Sequence, residues 1–341
     1  MSARDEVAVR RLLTPLRPWL ERDDIEDIAI NRPGEVFVLP SGQGWQRSEL
    51  AMNFNQCYDL AKAAATLFDE SISATSPVLS VSLPDDERAQ FVIPPAVPRE
   101  TVAISIRKPS ATEPTMADLE ASGLFSRVVT AAPALQQHEV ELLELKRAGK
   151  VGAFLRRAIE LRKTIAFSGP TGCGKTFIMK AAAGLIPHSR RVITIESVRE
   201  LRMSAHPNVA HLFYSDTERE GEKATPKALL KAALRMRPDT ILLTEVRADE
   251  CPIFVRVAAS GHPGSMTSLQ AGSCAEAWEQ LALMILMSEG GARLDYDKVM
   301  RLLKLTVDVI VQFGTDGSGR HVREIDYDPE RKLALAAGGA R

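Results

Sequence analysis

The sequence of 341 residues has few aromatic side chains, no long hydrophobic run and almost no net charge. Aromatic residues make up 5% of the chain and the formal net charge is −1. This composition argues against an aromatic groove for single strands and against a global basic field for nucleic acid. The longest apolar run, at 281–287, is far too short to span a bilayer, and the N-terminus has no signal-peptide core. We therefore expect a cytoplasmic protein with no sequence-specific nucleic-acid partner, whose membrane role depends on other proteins.

Cysteine is also scarce, and its spacing excludes two classes of structure. The four residues are Cys57, Cys173, Cys251 and Cys274. They are too widely scattered for a zinc module or for the disulfide framework of a small secreted protein. We expect free thiols in a reducing compartment.

The chain divides into two unlike halves. The first alternates short strands with turns and one helix, which predicts a small α+β domain with a mostly antiparallel sheet over residues 1–126. Residues 127–162 are helical and rich in charge, and we interpret them as a linker. Residues 163–341 alternate strands and helices, which predicts an α/β domain with a mainly parallel sheet.

A glycine-rich segment at the start of the second half carries the clearest chemistry. It fits G-x-x-x-x-G-K-[ST], between a predicted strand and a predicted helix. In this pattern the backbone N–H groups hold phosphate oxygens, the lysine reaches the β- and γ-phosphates, and the hydroxyl binds Mg²⁺. We call residues 169–176 the phosphate loop, and its members are Gly169, Pro170, Thr171, Gly172, Cys173, Gly174, Lys175 and Thr176.

Two glutamates follow predicted strands of the same half. Glu196 ends the run VITIE and Glu245 ends ILLTE. Ligands of such sheets lie at the carboxyl ends of the strands, so we expect both carboxylates near the phosphate loop. Either could instead be a solvated strand end. His262, in the turn GHPG before a further strand, is a third candidate, although an ordinary turn histidine fits the same pattern.

Four segments together resemble one family. GPTGCGKT, VITIESVREL, LRMRPDTILLTEVRADE and SGHPGSMTSLQAGS are similar, in order, to the Walker A, Asp box, Walker B and His box of hexameric traffic ATPases of bacterial type IV secretion and conjugation systems. NRPGEVFV and ISIRKPS resemble the N-terminal domain of that family.

The resemblance implies a RecA-like P-loop ATPase domain behind a smaller α+β domain, with ATP and Mg²⁺ as cofactors. It implies a homohexamer at the cytoplasmic face of the inner membrane, attached through inner-membrane and channel proteins. It implies nucleotide between the two domains of one subunit, with Arg107 reaching the γ-phosphate from the N-terminal domain. Lys175, Glu196, Glu245 and His262 are then the catalytic candidates, and Thr176 and Glu245 the metal candidates. Within this set we assign the attacking water to Glu196, the outer shell of the metal to Glu245 and γ-phosphate sensing to His262.

The chain departs from the family at four positions, which are Ser197, Thr240, Ala248 and Gln270. Gln270 stands where the His box usually ends in histidine, so it can donate a hydrogen bond but cannot carry charge. Three alternatives to a secretion motor stay open. They are a related type II or pilus motor, a DNA-translocating motor, and a ring scaffold that binds ATP with little hydrolysis.

Overall fold

Two sheets organise the chain. The computed structural model describes residues 3–110, 113–128, 134–215, 224–247, 249–317 and 319–337. Within that part of the chain, no helix is both long and apolar enough to cross a bilayer. All four cysteines are buried free thiols, as predicted.

The first sheet is antiparallel throughout. Its six strands among the described residues are β1 (Ile25–Ile30), β2 (Glu35–Pro40), β3 (Gln46–Glu49), β4 (Val78–Ser82), β5 (Arg88–Val92) and β6 (Ala103–Arg107). Their spatial order is β3-β2-β1-β6-β5-β4. The predicted hairpin of β1 and β2 is confirmed. Gly34 has φ +89 in its turn, a conformation that a side chain would strain.

Helices cover one face of the first sheet. They are α1 (Ala3–Leu12), α2 (Arg17–Leu20) and α3 (Phe54–Leu67). Asn53 caps α3 in a reciprocal pair with Gln56, and the apolar stripe of the helix faces the core. The short helix α4 (Met116–Ala121) follows the sheet, and Thr115 caps it in a reciprocal pair with Asp118.

The second sheet is parallel except at one edge. Its seven strands in the described ranges are β7 (Ile165–Ser168), β8 (Val192–Glu196), β9 (Val209–Phe213), β10 (Thr240–Leu243), β11 (Met266–Leu269), β12 (Val309–Asp316) and β13 (Gly319–Tyr327). The order is β13-β12-β7-β11-β10-β8-β9, and only β12 and β13 pair antiparallel.

The remaining helices pack around the second sheet. They are α5 (Gln137–Arg147), α6 (Val151–Glu160), α7 (Lys175–Ala183), α8 (Pro226–Arg235), α9 (Cys251–Ala259), α10 (Cys274–Met287), α11 (Tyr296–Thr306) and α12 (Pro329–Ala336). The predicted fold class, an α/β nucleotide-binding domain behind a smaller α+β domain, is confirmed. The boundaries stay a prediction. Leu142 of α5 and Phe154 of α6 are buried in the core of the second sheet, so these linker helices belong to its packing.

A fully buried arginine joins the two sheets. Arg191, at the start of β8, donates from Nη1 to Asn31 Oδ1 at 2.8 Å and to Asn208 Oδ1 at 2.6 Å. Its Nη2 donates to Ser105 Oγ at 3.2 Å, and its Nε donates to Met236 O at 2.8 Å. Asn31 and Ser105 belong to the first half of the chain, whereas the other two acceptors belong to the second. We call these five residues the Arg191 network.

Apolar contacts reinforce the Arg191 network. The guanidinium lies 5.4 Å from the ring centroid of Trp45, within the range of a cation–π contact. Val92 and Ala103 of the first sheet are buried in the same core cluster as Ile193 of the second. Burial lowers the pKa of Arg191 to about 10, so the group stays charged at neutral pH. The two halves of one chain are thus held as a single packed body.

Substituting Arg191 should destabilise the whole chain. In Arg191→Met the buried acceptors Asn31 Oδ1 and Met236 O lose their donor, and the free energy of unfolding should fall by about 3–5 kcal/mol. Urea unfolding of the full chain measures this change. Arg156→Met, at an exposed position of α6, is the matched control and should change stability by less than about 0.5 kcal/mol. Equal stability of the two variants would contradict the role of the network.

Candidate active site at the carboxyl edge of the second sheet

The phosphate loop connects β7 to α7, and its backbone requires glycine. Gly169 has φ +154 and Gly174 has φ +97. A Cβ on Gly169 would lie 2.6 Å from Cys173 Sγ and 3.0 Å from Phe313 O, so no larger residue fits. The loop therefore curls tightly and turns its N–H groups toward the space above β7.

Helix α7 places positive charge at the mouth of the loop. It begins at Lys175, and its first intrahelical bond runs from Ile178 N to Gly174 O. The N–H groups of the first turn have no acceptor within the helix, which makes this end a site for anions. Lys175 Nζ donates to Gly169 O at 2.7 Å and to Pro170 O at 2.9 Å, so the ammonium lies over the loop.

The strand order ranks the other candidates by their distance from the loop. Gln270 directly follows β11, which neighbours β7, while Glu245 follows β10 and Glu196 ends β8. With neighbouring strands about 4.8 Å apart, these residues lie about 5, 10 and 14 Å from β7 across the sheet. Glu196 is the most distant of the three.

Gln270 links the phosphate loop to Glu245. Thr171 Oγ1 donates to Gln270 Oε1 at 3.3 Å, and Gln270 Nε2 donates to Glu245 Oε1 at 3.1 Å. Arg247 donates to the other carboxylate oxygen of Glu245 at 3.0 Å. A neutral amide can accept and donate at once, so it fills the gap between a hydroxyl and a carboxylate. Gln270 therefore bridges the phosphate loop and the Glu245 carboxylate.

The backbone around Glu245 is fixed by its neighbour strand. Ser268 Oγ of β11 donates to Thr244 O at 2.6 Å, and Val246 N donates to Ser268 O at 2.9 Å. Glu245 stands between these two bonds and is partly exposed. Its carboxylate is therefore held in position while remaining accessible.

Glu196 has a different environment. It is fully buried, and its Oε2 accepts from Glu200 N and Leu201 N, both at 2.8 Å. Its Oε1 accepts from Thr194 Oγ1 at 2.7 Å and lies 3.5 Å from His211 Nδ1. These contacts fix the loop that follows β8. The carboxylate of Glu196 is thus occupied by hydrogen bonds within the protein. Its predicted catalytic role stays a prediction.

Two further candidates lie at the opposite edge of the sheet. His262 precedes β11, as the sequence indicates, and therefore lies at the amino end of that strand. Burial lowers its pKa, and Arg237 and Arg162 lower it further. Arg107 Nε pairs with Asp27 at 3.0 Å, and Arg237, shortly before β10, pairs with the same carboxylate at 3.3 Å. Neither His262 nor Arg107 reaches the phosphate loop of its own chain.

An arginine that the sequence did not single out lies against the loop. The side chain of Arg320, in β13, passes Gly174 so closely that a Cβ there would lie 3.1 Å from its Cδ and 3.6 Å from its Nη1. Among the described residues Arg320 forms no ion pair. The hairpin of β12 and β13 carries it there because β12 runs beside β7. Only the pairing of distant strands could reveal this contact.

The oxygen donors of the site fit a magnesium ion shared with a nucleotide. Thr176 lies in the first turn of α7, and Glu245 is the accessible carboxylate nearby. Among the described residues no group of three or more His, Cys, Asp or Glu side chains forms a metal cluster. Mg²⁺ needs no such cluster, because one or two protein oxygens, phosphates and water complete its shell. Thr176 and Glu245 are the residues that would hold it.

Comparison with known proteins decides the family. The family described as "Type II/IV secretion system protein" matches residues 15–324. The chain belongs to this family. It is 45% identical to the type IV secretion system protein VirB11 of Brucella suis biovar 1, over 97% of this chain and 95% of that protein. It is 38% identical to PtlH of Bordetella pertussis, over 92% and 94% of the two chains.

A solved structure agrees with the sequence comparison. The crystal structure of the VirB11 ATPase from the Brucella suis type IV secretion system, in complex with sulphate, superposes with a TM-score of 0.90 at 44% identity. The match covers 96% of this chain and 99% of that one. The predicted function, a type IV secretion ATPase, is thereby confirmed at the level of the family.

Gln270 provides a direct test of the site in this secretion ATPase. Gln270→Leu removes both hydrogen bonds and leaves the Glu245 carboxylate unsupported. A bond to a charged group is worth about 1.5–3 kcal/mol, so turnover should fall about 10- to 100-fold. Phosphate release measures turnover, and nucleotide affinity should change little. Gln270→His keeps a donor and should retain most of the activity. Wild-type turnover in Gln270→Leu would contradict the link.

Proposed function

We propose that this chain hydrolyses ATP in a Mg²⁺-dependent reaction, within a ring of six copies that powers type IV secretion. The observation that carries the proposal is the chain of contacts from Thr171 through Gln270 to Glu245. It joins the phosphate-binding element to an accessible carboxylate two strands away. Phosphoryl transfer depends mainly on such positioning and on neutralised charge.

The residues divide the work by position. Lys175 and the first-turn amides of α7 neutralise the β- and γ-phosphate oxygens. Arg320 adds a second cation on the other side of Gly174. Glu245, held by Gln270, orients the attacking water and accepts its proton. Thr176 and Glu245 would hold Mg²⁺, which would supply charge neutralisation for the phosphates.

In this proposal Glu196 does not contact the reacting groups, and it acts by fixing the loop after β8. Its bonds to Glu200 N and Leu201 N fix the backbone of the loop after β8, and its burial keeps it from water. The proposal thus assigns the water to Glu245 and loop geometry to Glu196. Substitution of Glu245 should therefore lower turnover alone, whereas substitution of Glu196 should lower both stability and turnover.

Arg107 serves a second copy of the chain. Its ion pair with Asp27 lies at the edge of the second sheet opposite to its own phosphate loop. The Arg191 network holds the two halves of one chain together, so Arg107 cannot swing to its own site. In a ring, a head-to-tail contact would bring it to the γ-phosphate of a neighbour.

Motion in the ring would then occur between chains. Release of phosphate loosens the contact between Arg107 of one subunit and the phosphate loop of the next, and rigid subunits rotate against each other. We propose that this rotation is transmitted to inner-membrane and channel proteins of the secretion system, with the ring held at the cytoplasmic face by those partners.

A panel of variants should separate the assigned roles. Lys175→Ala should abolish nucleotide-dependent phosphate release. Glu245→Gln should reduce turnover about 100-fold or more while binding and thermal stability stay near wild type. Glu196→Gln keeps an oxygen for the two backbone donors but removes the negative charge that they bind, so it should lower the melting temperature as well as activity. If Glu196→Gln kept its full stability but lost turnover, the attacking water would be assigned to Glu196 instead of Glu245.

The same panel decides between a motor and a scaffold. Light scattering on each sample reports ring formation. Tight ATP binding that depends on Lys175, in a ring-sized wild-type protein that releases no phosphate, would favour a scaffold switched by occupancy. Mg²⁺-dependent turnover in the ring supports the motor.

Mixing two inactive variants tests whether Arg107 acts on a neighbour. Lys175→Ala lacks a working phosphate loop, and Arg107→Ala lacks the arginine, so each alone should be inactive. In mixed rings about one interface in four would pair an intact loop with an intact arginine, restoring about a quarter of wild-type turnover. The two variants are dissociated into folded subunits, mixed and allowed to reassemble. Phosphate release from the mixed rings then measures the recovery. No recovery, in rings shown to contain both variants, would place Arg107 in its own chain's site, whereas activity of Arg107→Ala alone would place it outside the reaction.

A further inference from the structure

A second cleft lies between the two halves of the chain, away from the phosphate loop. Its volume is about 700 Å³, which is within the range of small-molecule sites. One wall is the turn that precedes β6, and the other is the loop after β8. The residues that matter here are Asn31, Arg32, Arg99, Arg199, Arg202 and His211.

The charge in this cleft has one sign. Four arginines line it and no carboxylate does. Arg32 pairs with Glu35 at 2.8 Å. Among the described residues, Arg99, Arg199 and Arg202 form no ion pair or side-chain hydrogen bond. A cleft lined by guanidinium groups and by no carboxylate has a positive potential, which favours binding of an anion.

The walls of the cleft are already fixed. Asn31, which follows β1 and also lines the cleft, donates to Asn208 Oδ1 at 3.0 Å and accepts from Arg191, so it is part of the Arg191 network. The wall after β8 is the loop whose amides at Glu200 and Leu201 are bound by Glu196. A ligand would therefore enter a formed site without ordering either wall.

The cleft is separate from the nucleotide site. His211 lies on β9, four strands from β7 in the order β7-β11-β10-β8-β9. At about 4.8 Å a step, this separation is about 19 Å across the sheet. None of its lining residues belongs to the phosphate loop, and neither Glu245 nor Gln270 lines it.

We propose that this cleft binds a small molecule with two or more phosphate groups, in addition to the nucleotide at the phosphate loop. Three unpaired guanidiniums provide several pairs of donors for phosphate oxygens. The concave shape between two domains favours a compact ligand over a flat membrane surface. The net charge of −1 gives no basic field that would extend the cleft into a nucleic-acid track.

The test uses the full chain with the phosphate loop disabled. In Lys175→Ala, inorganic tripolyphosphate and ATP are titrated separately by calorimetry. Adding Arg199→Ala and Arg202→Ala should weaken binding of these probes at least tenfold. The matched control adds Arg11→Ala and Arg147→Ala, which remove the same charge from exposed positions elsewhere and should leave the affinity unchanged. The readout needs no hydrolysis, so it is independent of the proposed reaction.

The outcomes separate the ligand sources. Equal affinity for tripolyphosphate and ATP supports a ligand recognised by its phosphate chain alone, whereas tighter ATP binding supports a nucleoside polyphosphate. Binding of neither probe to Lys175→Ala would overturn the proposal, as would binding that is equal in the two triple variants. Arginine-dependent binding to phosphatidylglycerol vesicles, without binding of the soluble probes, would overturn it in favour of a membrane contact.

Discussion

The buried guanidinium of Arg191 sets the geometry on which the other features depend. It takes acceptors from both halves of the chain, and no other side chain of that size and charge is buried completely among the described residues. The cationic cleft lies between the two halves that this guanidinium joins, and Arg107 lies near the amino ends of the strands of the second sheet. Because Arg191 joins the halves, it helps to hold both features in their relative positions.

Local motifs were sufficient to predict the turn and helix start of the phosphate loop. Residues 169–176 form the expected turn because glycine torsions and the start of a helix are determined within a few residues. The hairpins, the cap at Thr115 and the helix start at Thr225 were predictable for the same reason. Strand β9 was not predicted, because its five residues include a central histidine and give no alternating pattern.

Features that depend on tertiary arrangement were not predictable. The position of Arg107 depends on how the two domains pack against each other. No local sequence pattern predicts that packing. His262 lies before β11, at the end of the sheet away from the phosphate loop, and no local sequence pattern gives that separation. Gln270 cannot carry the charge of a histidine at the same position, yet its amide spans the gap between Thr171 and Glu245. Arg191, beside the partly exposed Arg190, gave no sign of complete burial.

The hairpin of β12 and β13 also bears on how the protein is made. Phe313 O lies where a side chain on Gly169 would be, and Arg320 covers Gly174, so the phosphate loop is completed by strands near the other end of the second half. A ribosome releases the loop long before it releases that hairpin. During synthesis the phosphate loop therefore emerges before the hairpin that packs against it, and its final packing forms only when that hairpin has been made.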